Sequence, residues 1–570
     1  MENQMQIFLV MLIYLGLLIS WGIFQGRKVK TNKDYAIAGR GLPGWVAALS
    51  ERATGESSWA LLGLPGAAYA MGMTEIWTAL GCVAGIITAW VVLAWRLRDE
   101  AEKYNISTFA QYISKKHGEN GRQIKIVGSL TIVFFFFFYV GAQFLGGGKT
   151  LHTMFGIDPK LGLFLTAAII VPYTIYGGFR SVVYTDVIQA IVMIITLVVG
   201  PITGIIYLSN HPELFAQSIP EALQSAGESY VSLTGTARGF GAGLVLAGGF
   251  SWFFGYLGGQ PQLTMRFMAI KDARQAKKAR NIGIIWTIVA YIGALSIGWI
   301  GIALFGPAGL DDPEYVMPRV ILQLFPPAVA AILITGAIAA MISTADSLLI
   351  LSATELSENL LKKEGAAEAL AKRDRSLRHS RLVTALLAVI ALVIAWVSPS
   401  RLIFTLVSYV WAGIGCTFSV IILLSLFWKR FHGRAALATM VVGLLFTIFW
   451  ISGGFEQHYR VTAGKTDFLV EQEVITPAET ELFEEIEGEK YVAVSRFRNE
   501  LAALVGERWS SAEAEEKIPV LVSSYTEKGI PARLMTFIVA LLVAVGVTYL
   551  VPRKGTEGSG PTNNRREQAE

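Results

Sequence analysis

Two stretches of this chain place polar groups where apolar residues prevail on both sides. The first is Ser50-Glu51-Arg52-Ala53-Thr54-Gly55-Glu56-Ser57-Ser58-Trp59, inside an apolar segment that starts near Gly44 and runs on through Gly66. The second is Ser343-Thr344-Ala345-Asp346-Ser347, inside an alanine-rich apolar run. Ser343, Asp346 and Ser347 stand at i, i+3 and i+4, so they share one helix face. A lone serine or threonine in a membrane helix usually bonds back to its own backbone. Three hydroxyls and a carboxylate so close together say more than that. Hydroxyls, carbonyls and carboxylates are hard oxygen donors that suit a small alkali cation, and soft ligands are absent from both stretches. Charged groups at bilayer depth are costly and usually mark a pathway or a site. The plainer reading of the first stretch is a short amphipathic loop at the membrane edge. The apolar runs flanking it favour a broken membrane helix whose freed backbone groups bind ligands. Asp186 is a further carboxylate near a membrane boundary, readable as a ligand or as an interfacial helix cap.

The elements that must hold these groups are membrane spans. The chain has 570 residues, 53% of them hydrophobic and only 16% charged. A soluble domain carries about 25% charged residues. Runs of about 20 apolar residues suffice to cross a bilayer. Thirteen spans are expected, at 5–24, 44–70, 74–95, 124–151, 160–178, 184–208, 240–264, 282–305, 326–354, 382–397, 401–427, 434–452 and 534–551. The chain therefore reads as an all-α polytopic membrane protein. The first run has no basic region ahead of it and no small-residue cleavage site behind it, so it reads as an uncleaved span. The seventh span contains Gly248-Gly249, Gly255, Gly258-Gly259 and Pro261, a density that implies a second unwound helix. Interrupted spans at positions two and seven suggest a five-plus-five repeat. Cys82 and Cys416 lie in apolar runs and read as small core residues.

Charge sets the expected orientation. Basic loops at 27–30, 115–116, 271–280, 372–375 and 429–430 alternate with acidic or short ones. The positive-inside rule then puts the N-terminus outside and the C-terminus in the cytoplasm. The net charge of +5 follows from these loops and gives no reason to expect nucleic acid. Residues 453–530 form a polar insertion with 16 acidic and 8 basic residues, which fits the outer face. Its weakly helical pieces at 483–487 and 497–504 suggest a small cap or a partly ordered loop. The expected organisation is a first helix and cytoplasmic loop (1–43), a transport core (44–427) and an additional helix (428–452). The acidic insertion (453–530), a last helix (531–552) and a disordered cytoplasmic tail (553–570) follow.

Several segments in combination resemble the sodium/solute symporter family, most closely the bacterial sodium/proline symporters. They are Ala38-Gly39-Arg40, Gly63-Leu64-Pro65-Gly66-Ala67, Ile175-Tyr176-Gly177-Gly178-Phe179, Thr185-Asp186, and Gly259-Gln260-Pro261 followed by Arg266-Phe267-Met268. Ser343 to Ser347 and Ser408-Tyr409-Val410-Trp411-Ala412-Gly413 complete the set. The resemblance covers about residues 5 to 450. It implies a LeuT-type fold with an inverted repeat and a sodium site between the second and ninth spans. The implied ligands are the carbonyls of Ala53, Glu56 and Ala340 and the hydroxyls of Ser343 and Thr344. A second sodium, where present, matches Asp186, Ser343, Asp346 and Ser347. The substrate pocket implied by the resemblance contains Ser57, Tyr139, Trp252, Tyr256 and Pro261. This chain departs from the pattern at Gly55-Glu56, where the proline symporters usually have an aspartate and then an apolar residue.

The expected function is sodium-coupled import of a small organic solute across the cell (inner) membrane, with proline or a related amino acid first. Sodium is the coupling ion, and the partners are the solute, sodium and the lipid bilayer. Sugar or carboxylate symport is the nearest alternative, and a non-transporting membrane sensor is the alternative of another class. No enzymatic reaction is expected, because no nucleophile–base pair, phosphate loop or metal-ligand cluster is legible.

Overall fold

The computed structural model describes the chain except residues 1, 30–31, 238, 362–369, 398–401, 472–473, 485, 487, 491–493, 507 and 552–570. The expected tail, 553–570, lies outside the described residues. Among the described residues, ten helices are long and apolar enough to cross a membrane. One of them, the 60-residue run Gly44–Lys103, contains the expected spans 44–70 and 74–95. A short 3-10 turn at Gly72–Glu75 separates these two, with Gly72 at φ 61. The expected spans 160–178 and 240–264 coincide with shorter apolar helices, Pro159–Pro172 and Gly239–Gly255. The membrane part is thus all-helical, as expected, and its long apolar runs satisfy their backbone groups internally, while the expected all-α class fails in the insertion, which carries a small sheet.

The second span is broken where the polar stretch predicts. Gly44–Ser58 is interrupted at Ser57, which has φ 54 and ψ −169. That backbone conformation costs a side-chain-bearing residue of order 1–3 kcal/mol. Local hydrogen bonds offset it: Ser57 Oγ accepts from the Trp59 N–H at 3.0 Å, and the Ser58 N–H donates to Gln143 Oε1 at 3.0 Å. A wide turn at Trp59–Gly63 leads into the second half-helix, Leu64–Met71. The long helix Gly121–Phe155 passes close to this break. A Cβ added at Gly146 would lie 2.9 Å from Ser58 Cβ, so that approach requires glycine.

The seventh span breaks twice. Gly239–Phe250 passes through Ser251 into Trp252–Gly255, and an irregular stretch then leads to Pro261–Ala269. Gly258 sits in that stretch at φ 83, a conformation glycine adopts without steric cost. Pro261 opens the next half-helix, where its missing N–H costs nothing. Thr264 Oγ1 donates to the Gly258 carbonyl at 2.9 Å and ties the two pieces together. By contrast the ninth span, Pro327–Leu356, is continuous. It packs against Gly44–Ser58, Gly121–Phe155 and Pro159–Ser209 at the centre of the molecule.

The insertion folds around a core of its own. Strands β1 (Gln457–Val461), β2 (Gly488–Lys490) and β3 (Thr526–Lys528) form an antiparallel sheet of order β2-β1-β3. Helices Val494–Val505 and Ser511–Tyr525 cover it, with Tyr459 stacked on Phe497 at 3.9 Å between ring centroids. Leu501, Leu521 and Tyr525 are buried in the same cluster. The sheet pairs strands about 70 residues apart in sequence, which short polar segments do not advertise. The insertion meets the membrane helices where Gly529 N–H donates to the Glu456 carbonyl at 2.8 Å and Trp450 Nε1 to the Ile530 carbonyl at 3.0 Å.

Candidate sodium and solute site

The broken second span and the continuous ninth span meet through hydroxyls and carbonyls. Ser343 Oγ lies 3.0 Å from the Ala53 carbonyl oxygen and 2.9 Å from that of Ala340. Thr344 Oγ1 donates to the Thr54 carbonyl at 3.0 Å. Four of the five expected ligands thus fall on one junction, and every one of those residues is fully buried. The fifth, the Glu56 carbonyl, accepts the Trp59 N–H on the rim of the break. The donor set is wholly hard oxygen, as an alkali cation requires.

Asp186, Ser347 and Asp346 are buried beside this junction, but a cationic side chain shares their space. Arg266 Nη2 lies 2.8 Å from Asp186 Oδ2 and 2.6 Å from Ser347 Oγ. Its Nε donates to Ser50 Oγ at 2.7 Å, and Ser50 donates to Asp186 Oδ2 at 2.6 Å. Thr54 Oγ1 stands 3.2 Å from Ser347 Oγ and 3.3 Å from Asp186 Oδ2. Ser347 Oγ is 3.4 Å from Asp346 Oδ1. The other oxygen of Asp186, Oδ1, is buried without a hydrogen-bond partner among the described residues. The sequence shows Arg266 as part of a motif. That it ends on a carboxylate 80 residues earlier is set by folding alone.

The expected pocket residues gather around one indole. Trp411 packs against Trp252 at 5.8 Å, Tyr256 at 5.3 Å and Tyr139 at 5.5 Å between ring centroids. Trp252 also meets Trp59 at 4.6 Å, and Trp59 meets Phe404 at 6.0 Å. Ser57 borders this cluster through Trp59, and Pro261 stands beyond the break at the start of the next half-helix. Trp59 and Trp411 stand in segments that the sequence singles out, but neither they nor Phe404 was expected in the pocket. Trp411 lies in a wide helical turn, Trp411–Cys416, a feature with no marker beyond its glycines. Among the described residues, the indole N–H groups of Trp59, Trp252 and Trp411 are buried without hydrogen-bond partners.

The residue that departs from the proline-symporter pattern, Glu56, is paired locally. Its Oε1 accepts from Arg52 Nη1 at 2.9 Å. Arg52 also forms a two-toothed pair with Glu51, whose Oε2 accepts from Trp90 Nε1 at 3.0 Å. Arg52 Nη1 reaches Thr287 Oγ1 at 3.1 Å as well. The three charges of this stretch are therefore paired within the helix that carries them.

Comparison with known proteins places this geometry. The sodium:solute symporter family profile matches residues 35–443. The osmoregulated proline transporter OpuE of Bacillus subtilis (strain 168) is 36% identical over 446 residues, covering 77% of this chain and 87% of the relative. The high-affinity proline transporter PutP of the same organism is 34% identical over 453 residues, covering 79% and 91%. A sodium-coupled sialic acid symporter, solved substrate-bound and outward-open, superposes with a TM-score of 0.64 at 19% identity, over 78% of this chain and 91% of that one. The fold is thus of the LeuT type, with broken second and seventh spans. This chain belongs to the sodium:solute symporter family. It is a sodium-coupled solute symporter and not an enzyme.

Proposed function

We propose that this protein imports proline together with sodium, with the ion held by the carbonyls of Ala53, Glu56 and Ala340 and the hydroxyls of Ser343 and Thr344. The observation that carries the reading is the convergence of the Ala53 and Ala340 carbonyls on Ser343 Oγ, from two different spans. A cation shared by two elements stabilises the arrangement in which they meet, and so couples to any solute that needs the same arrangement. The solute would lie against Trp252, Tyr256 and Tyr139, beside Ser57 and Pro261. Aromatic faces take an aliphatic ring and attract an amine by about 0.5–2 kcal/mol per contact. The Glu56–Arg52 pair weakens the repulsion that the Glu56 side chain would otherwise exert on the solute carboxylate. The proline transporters among the relatives favour proline over sugars.

One sodium per solute is the stoichiometry we favour, because Arg266 already supplies a positive charge at Asp186. A second ion would use Asp186, Ser343, Asp346 and Ser347, and the buried Asp186 Oδ1 is the observation in its favour. The protein would sit in the cell membrane with the N-terminus and residues 453–530 outside and the C-terminus inside. Sodium-driven uptake in proteoliposomes, run with a panel of proline, other amino acids and sugars, tests the solute. Transport of another solute but never proline would overturn the proline assignment. A sodium Hill coefficient clearly above one that falls in Asp186→Asn would establish the second ion.

A further inference from the structure

A polar cavity of about 450 Å³ lies between the aromatic cluster and the base of the insertion. Its walls include Thr74, Glu75, Ser408 and Glu456, and Arg533 projects into it from the start of the last helix, Ala532–Leu550. The guanidinium of Arg533 lies over the Trp252 ring, 4.3 Å from its centroid. Arg533 is 6% exposed, yet its hydrogen bonds go only to neutral oxygens. Nε donates to Ser251 Oγ at 3.0 Å, Nη2 to the Gly248 carbonyl at 3.1 Å, and Nη1 to Ser408 Oγ. Among the described residues no carboxylate lies within ion-pair distance of it. A buried cation whose hydrogen bonds all go to neutral oxygens, with its nearest carboxylates beyond ion-pair distance, gains from a ligand that brings an anionic oxygen to it. Guanidinium suits this role because its planar fork grips a carboxylate at two points.

The rest of the cavity fits the other end of the same ligand. Glu75 and Glu456 carry carboxylates into its lining, and Glu456 Oε1 is fixed by the Ala532 N–H at 2.7 Å. Arg533 and Glu456 in one lining complement a zwitterion, with its carboxylate at Arg533 and its ammonium toward Glu456. Arg533 and Glu456 lie beyond residues 35–443, the part of the chain that the family profile matches. We propose that this cavity is an outer recognition site for zwitterionic amino acids, in which Arg533 binds the carboxylate above the aromatic cluster. The proposal rests on the amino-acid reading of the substrate and adds a second site to it.

The test is uptake by the purified full-length protein in proteoliposomes, with labelled L-proline as solute and L-prolinamide as competitor. Prolinamide keeps the ring and the amine and lacks the carboxylate. In Arg533→Gln the proline KM should rise roughly 10- to 100-fold, the range for losing a charged hydrogen-bonding partner. Inhibition by prolinamide should change less than about twofold, so discrimination between the two collapses. Arg533→Lys should fall between wild type and Arg533→Gln, and it decides the matter if the glutamine variant does not fold. Parallel weakening of proline and prolinamide would make Arg533 a packing residue and overturn the proposal. An unchanged proline KM would overturn it as well, leaving the symporter reading intact. Wild-type uptake confined to solutes without a carboxylate would overturn this site and the amino-acid reading together.

Discussion

Ser343 and Thr344 each give a hydroxyl to the junction between the second and ninth spans, one toward Ala53 and one toward Thr54. Removing either oxygen leaves a bound cation short of one ligand, a loss of about 1–3 kcal/mol by analogy with a lost buried polar partner. Ser343→Ala and Thr344→Ala should therefore each raise the sodium concentration for half-maximal uptake by roughly 5- to 150-fold. Unchanged sodium dependence in both variants would remove this junction as the ion site. Arg52 answers to different physics. It hydrogen-bonds both Glu51 and Glu56 in a buried setting, so Arg52→Met strands two carboxylates. Breaking such a pair from one side costs about 3–5 kcal/mol. A thermal unfolding scan in detergent should show Arg52→Met far less stable than Glu56→Gln, which leaves Arg52 its pair with Glu51. Equal midpoints would mean the pairing contributes nothing. At this scale the sequence is legible where polar residues cluster locally, as in Ser343 to Ser347. It is silent on Arg266, because nothing near that residue announces Asp186 as its partner.

Among the elements, both breaks were readable from composition, since glycine, proline and hydroxyls concentrate where the helices unwind. The place of each break is set by particular residues. Gly258 takes φ 83, while Ser57 carries its φ of 54 with a side chain and is held by the Trp59 and Gln143 bonds. Gly258→Ala forces an L side chain into left-handed backbone, at about 1–2 kcal/mol. It should lower the unfolding midpoint of the protein and reduce uptake, with sodium affinity at the Ser343 junction little changed. A variant as stable and active as wild type would show that this stretch is relaxed without glycine. The wide turn at Trp411–Cys416 was not legible, because its residues read equally well as ordinary helix. Only packing against Gly255 and Phe135 shows why glycines recur there: added Cβ atoms at Gly255 and Gly413 would collide with Trp411 and Phe135.

At the scale of the whole molecule, hydropathy gave the membrane class and the approximate spans, and the alternation of basic loops gave an orientation. The insertion was harder, because its sheet joins Gln457–Val461 to Thr526–Lys528 across four intervening helices. Its ends come back together at Glu456 and Gly529, which is what lets an extra folded unit sit between two spans. The proposed orientation puts Ser511, at the start of an insertion helix, outside the cell. Both native cysteines are buried, so a cysteine introduced at position 511 gives a clean signal. Ser511→Cys should react with an impermeant thiol reagent on whole cells. Reaction only after lysis would invert the topology.

The central claim is that one sodium and one proline move together through this protein. Fluxes of radioactive sodium and labelled proline, measured side by side in proteoliposomes, address it directly. We expect proline to accumulate only under an inward sodium gradient, with one sodium entering per proline, and neither flux above background when the other solute is omitted. Proline uptake at the same rate with potassium in place of sodium would contradict the claim.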